Sequence, residues 1–177
     1  MTKRVIKLKQ FGESGWQERI QFPLDKLLAI EGVGQSPALP KSSIQVAFAR
    51  WQNQHRNGQV RENAFDLEPI PGLLMSVIDV TADDPYHYRF AMKRDRYFRW
   101  MESKPLAEFP YSEITLSCSN EYYACKTASE PVGHHISHDL DGFKRSYLRL
   151  LLPLTDRSGR VSALACVSRH LDPPAPA

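Results

Sequence analysis

Between Gly72 and Gly133 the chain contains no glycine at all, although 9 occur in its 177 residues. That stretch therefore cannot supply a glycine loop that cradles phosphates. The whole chain also lacks a Gly-x-Ser-x-Gly elbow and a His-Glu-x-x-His helix, so the common signatures of nucleophilic and zinc hydrolysis are missing. Cysteine is scarce: Cys118, Cys125 and Cys166 form no Cys-x-x-Cys pair, and their odd number argues against a disulfide framework. They read as reduced, part-buried thiols. No apolar run approaches the length of a membrane span, and the start MTKRVIKLKQ lacks the apolar segment of a secretory leader. These features predict a cytoplasmic protein. The charge excess is only +3, too mild to imply a nucleic-acid partner by itself.

What is present is the composition of one folded domain, with 42% hydrophobic and 24% charged residues. The strongest local signal lies near the C-terminus. Arg145–Leu154 and Arg160–Ser168 are apolar runs around the turn Thr155-Asp-Arg-Ser-Gly159, which predicts a hairpin. Pro153 cannot donate to a ladder, so it belongs at a strand end or a bulge. Leu148, Leu150 and Leu152 alternate on one strand face and are expected under a helix over 112–127, with Tyr147 and Arg149 on the opposite face.

Earlier in the chain, Ser42-x-x-Gln45 fits a capping box, and Ile44, Ala47, Phe48 and Trp51 form one apolar stripe of a helix over 42–57. Leu74–Val80 reads as a strand, Asp83-Asp-Pro85 as a turn, and Tyr86–Phe90 as a return strand. Residues 92–130 read as mostly helical, and 131–140 as extended. Residues 1–40 form an N-terminal extension in which Lys3–Lys9 and Glu18–Phe22 suit a hairpin or a basic arm. Residues 41–171 form the domain, and 172–177 a tail without packing capacity. The predicted class is α+β: a five-stranded antiparallel sheet, a helical insert on one face, and an N-terminal helical extension.

The order of helix, two strands, helical insert and three strands resembles a PAS domain. Phe48-x-x-Trp51-Gln52 with Arg56 and Gly58, the strand after Leu73, and Tyr147-x-Arg-Leu-Leu-Leu-Pro-Leu154 resemble a bacterial family of stand-alone PAS-like regulatory proteins. The chain departs from that family in carrying Lys93–Trp100 where relatives carry glycines. The resemblance implies a non-enzymatic sensory module that binds a small apolar ligand or a protein partner. It implies Phe90, Trp100, Tyr122 and Leu150 as ligand-binding residues. It also implies a homodimer or target contact through Phe48 and Trp51, and it identifies no cofactor.

Three side-chain groups invite other chemistry. The run Gly133-His-His-Ile-Ser-His-Asp139 places His134 and His138 on one strand face and His135 on the other. Residues i and i+4 of a strand lie roughly 13 Å apart, too far to share one metal, so exposed strand histidines are the plainer account and no metal ligand is assigned. Neither Cys118 nor Cys125 sits in an Asn-Cys-Arg-Phe turn of the flavin-photoreceptor kind. Finally, Arg89–Lys104 interleaves Arg94, Arg96 and Arg99 with aromatics, the pattern of a nucleic-acid-binding accessory protein. The spacing of Tyr97, Trp100 and Met101 suits a solvated amphipathic helix better.

Overall fold

The computed structural model describes residues 2–8, 15–32, 43–56, 65, 68–93, 101–109, 112–140 and 143–171. In chain order these give β1 (Thr2–Leu8), β2 (Gly15–Phe22), α1 (Leu24–Gly32), α2 (Ser43–Arg56), β3 (Leu74–Asp79), β4 (Arg89–Lys93), α3 (Ser112–Ala128), β5 (Val132–Leu140), β6 (Phe143–Thr155) and β7 (Val161–His170). All strands join one antiparallel sheet in the order β1-β2-β5-β6-β7-β3-β4. The class is α+β as expected, but the sheet has seven strands rather than five. The two additional strands are the N-terminal hairpin, whose second strand pairs with β5 from Gly15↔Leu140 to Phe22↔Gly133.

The β6–β7 hairpin forms the middle of the sheet. Asp156 closes its turn by accepting from the Ser158 amide at 2.8 Å and the Arg160 amide at 3.1 Å, while Gly159 takes φ +85°. Pro153 lies past the last β5 pair, Val132↔Leu151, so its missing donor faces no strand. Its carbonyl instead accepts from Trp51 Nε1 at 2.8 Å.

Both sheet faces are covered, and this explains the unbroken run Leu150-Leu-Leu152, all fully buried. Leu148, Leu150, Leu152 and Leu154 pack with Ala163, Ala165 and Val167 against Leu27 of α1 and Ile44, Ala47 and Trp51 of α2. Leu151, Leu164 and Cys166 point the other way, onto Tyr122 and Cys125 of α3. The expected alternation therefore holds, but the sides are exchanged: the Leu148/Leu150/Leu152 face lies under α1 and α2. Helix α3 covers the face of Tyr147 and Arg149. The reason is that α1, within the residues 1–40 read as an extension, joins α2 in a second layer over the sheet.

The return strand of the second hairpin starts later than the sequence suggested. Pro85–His87 forms a single 3-10 turn capped by Asp84, whose carboxylate accepts from the Tyr86 amide at 2.9 Å. Strand pairing begins only at Arg89, opposite Asp79.

Candidate functional site

Under α3 the sheet is unusually polar for a buried surface. Alternation along β2 turns Gln17 and Arg19 to this face, and the register sets them opposite His138 and Ile136 of β5. His134 of β5 in turn stands opposite Arg149 of β6. The side chains of Arg19 and Arg149 are 2% and 4% exposed, and both converge on Glu121 of α3. Arg19 Nε donates to Glu121 Oε1 at 2.7 Å, and Arg19 Nη2 and Arg149 Nη2 both donate to Oε2. The Arg149 guanidinium also lies 5.6 Å over the Tyr122 ring and reaches His134 Nδ1 at 3.2 Å.

The electrostatics follow from this geometry. Burial would push the Glu121 carboxyl up, but the Arg149 and Arg19 guanidiniums hold it well below the usual carboxylate range. Burial, then the adjacent Arg149, pushes His134 down to about 3, so the ring is neutral. An arginine can only donate, so Nδ1 accepts from Arg149 and the ring proton sits on Nε2, which faces Glu121 Oε1 at 3.7 Å. Burial followed by Arg145 lowers His138 to about 4.

Beside this cluster a cavity of about 170 Å³ opens between the sheet, α3 and the residues before it. One water needs roughly 10–15 Å³ of such space, so the cavity has room for a small organic molecule. One side is apolar, formed by Phe90, Met101, Leu106, Phe109, Ile114 and Tyr122; the other carries Gln17, His138, Arg145, Tyr147, Arg149 and His170. Gln17 Oε1, His138 Nδ1 and Arg149 Nε are buried and meet no hydrogen-bond partner among the described residues. Buried polar groups are nearly always satisfied, so three such atoms on the residues of one cavity stand out.

Of the residues singled out from the sequence, Phe90 and Tyr122 line this cavity. Leu150 does not; it lies on the opposite sheet face, in the core beneath α1 and α2. Trp100 falls outside the described residues, as do Arg94, Arg96 and Arg99. Trp51 is 6% exposed, held by the Pro153 carbonyl and stacked on His55 at 4.7 Å and Phe48 at 6.1 Å. Its cover therefore comes from its own chain, and it needs no second subunit; Phe48 stays half-buried.

The histidines are not a row of exposed strand residues. His134 is buried on Arg149, and His138 meets the Tyr147 ring edge-on at 6.1 Å. His135 shares a hydrogen bond of 2.7 Å with Ser146 on the other face. No three His, Cys, Asp or Glu side chains among the described residues are grouped to hold a metal. Among the same residues no helix is long and apolar enough to cross a membrane.

The sequence reading missed Gln17, Arg19, Glu121 and the buried role of Arg149, and it took His134 and His138 for exposed strand histidines. The available signal was Arg149 itself, a charged residue inside a leucine run. No family model, curated protein or solved structure matches this chain.

Proposed function

We propose that this chain is a non-enzymatic sensory or regulatory module of PAS-like architecture whose signal is a small molecule held between the sheet and α3. The observation that carries the reading is the cavity itself, with three unpartnered buried polar atoms on one side and an apolar wall on the other. The order of elements supports the architecture: a β3–β4 hairpin, a helical insert ending in α3, and a β5–β6–β7 meander whose last strand returns beside β3.

Helix α3 is held to the middle of the sheet by Glu121, so filling the cavity changes how α3 rests on β6 and β7. A ligand that favours one of these packings over the other shifts their populations. The change leaves the protein through a contact with a second copy or with a target protein. Half-buried Phe48 on α2, which packs against the core on the far side of the sheet and keeps part of its surface exposed, belongs to that contact.

Native mass spectrometry of the purified protein tests the reading, together with thermal melts against a small-molecule library and an Ile114→Trp variant that fills the cavity. A bound mass, or a saturable melting shift lost in Ile114→Trp, is expected. If no compound binds and Ile114→Trp simply melts higher, the cavity is a packing fault and the reading fails.

A further inference from the structure

We propose that the cavity under α3 takes a small organic carboxylate, with its charged end on Arg149 and its apolar body against Phe90, Leu106 and Ile114. This rests on reading the cavity as a ligand site and names the chemical class it selects.

The charges around the cavity point to an anion. Among the described residues lining it no Asp or Glu is present, while Arg149 brings a buried positive charge. Among the described residues the one carboxylate bonded to Arg149 is Glu121, and Glu121 is already shared with Arg19. Two buried guanidiniums on one carboxylate leave a unit of positive charge unanswered, and buried charges are ordinarily paired. His134 and His138 do not change this count, because both are pushed toward the neutral form.

The vacant hydrogen-bonding atoms give the finer shape. Arg149 spends Nη2 on Glu121 and His134 and directs Nη1 toward Cys118 Sγ at 4.0 Å, while its Nε has no partner among the described residues. A guanidinium edge is flat and suits a flat carboxylate, forming charge-assisted bonds stronger than neutral ones. Gln17 Oε1 is an acceptor without a donor, so the ligand also offers a hydroxyl or an N–H near its charged end. The apolar wall of Phe90, Leu106 and Ile114 gives a bare inorganic anion nothing to bury against. It suits a ring or a branched chain instead.

The test compares mandelate, 3-phenyllactate and 2-hydroxyhexanoate, each with a hydroxyl beside its carboxylate and each with its own primary amide, as probes in thermal melts and calorimetry at matched ionic strength. Each pair has nearly the same shape and differs in charge. At least one acid is expected to bind saturably while its amide does not. Arg149→Gln should abolish the binding, but that variant removes a buried residue and can fail to fold. The acid–amide comparison on the unaltered protein needs neither variant, and Glu121→Gln, itself destabilised by the loss of a buried partner, serves as the second variant at a temperature where it is folded. Freeing both guanidiniums from their internal counter-ion should tighten acid binding by about tenfold or more, since a unit charge a few ångströms away is strong in a poorly solvated site.

Amides binding as well as the acids would overturn the carboxylate assignment and leave the ligand-binding reading standing. Binding of neither class, or acid binding unchanged by Glu121→Gln, would overturn it as well. In those cases the broader reading rests on the native mass measurement and on Ile114→Trp.

Discussion

Replacing Glu121 by Gln is the most informative single perturbation of this fold, because the two sides of its ion cluster are unequal. The carboxylate answers Arg19 and Arg149 together, and the three side chains are 18%, 2% and 4% exposed. Removing one partner of a buried pair typically costs about 3–5 kcal/mol, because the remaining charge is left desolvated. Here two charges are left, so the upper part of that range applies. In a domain of this size a loss of about 4–5 kcal/mol corresponds to a melting-temperature fall of about 8–20 °C.

Removal of Arg19 is a different event. Arg19→Met keeps the apolar stem and leaves Glu121 paired one-to-one with Arg149. Its cost is the lost charge-assisted hydrogen bonds, about 1–3 kcal/mol, offset in part by relief of Arg–Arg repulsion. Urea unfolding curves for both variants, extrapolated to water, give the comparison directly. If Arg19→Met costs as much as Glu121→Gln, or if Glu121→Gln costs under about 1 kcal/mol, the excess positive charge is not buried as described.

Three other outcomes follow from the same packing. Stability should fall as pH drops below about 6.5, since the unfolded chain protonates its histidines there while His134 stays neutral to about 3 and His138 to about 4. His134 alone contributes a slope of about 1.4 kcal/mol per pH unit over that window, and His134→Gln should flatten urea-derived stability against pH by one proton. Leu150→Ala should lose about 2–5 kcal/mol in the same unfolding assay, from a fully buried site beneath α1 and α2. Gly133→Ala should lose about 1–3 kcal/mol, because the new methyl would stand 2.5 Å from Leu27 Cδ2, where α1 crosses β5; combined with Leu27→Ala, the total loss should be smaller than the sum of the two single losses.

The parts of the fold that the sequence made legible are those with local causes. The β6–β7 hairpin is marked by Asp156 and Gly159, α2 by its apolar stripe, and β3 by a short apolar run before a turn. What escaped were decisions made between distant segments. Nothing in Gly15–Phe22 says that it will pair with β5, over a hundred residues away, so the count of five strands came up two short. The side of β6 covered by each helix layer was invisible for the same reason: Leu148, Leu150 and Leu152 share a face whichever helices cover it. Trp51 looked uncovered because its hydrogen-bond acceptor, the Pro153 carbonyl, lies 102 positions along the chain.

The site was nevertheless marked by one residue. A strand buried on both faces reads as an unbroken apolar run, and Tyr147-x-Arg-Leu-Leu-Leu-Pro-Leu154 is such a run with a single cation in it. Taken as a one-sided strand, it places Arg149 on an outward face. The conclusion reverses once the leucines on both sides of Leu151 require two cover layers, for Arg149 must then be buried too. A buried arginine needs an anion. Its partner Glu121 could not be found by pattern, because α3 has Thr115, Ser117 and Ser119 turned inward and no clean apolar stripe to say which face meets the sheet. The charged wall of the cavity comes from the strands, through His138, Arg145 and Arg149, while α3 gives it Ile114, Thr115, Cys118 and Tyr122. The weak patterning of α3 fits what it packs on: this sheet face carries buried Arg19 and Arg149, which a fully apolar stripe without Glu121 would leave unpaired.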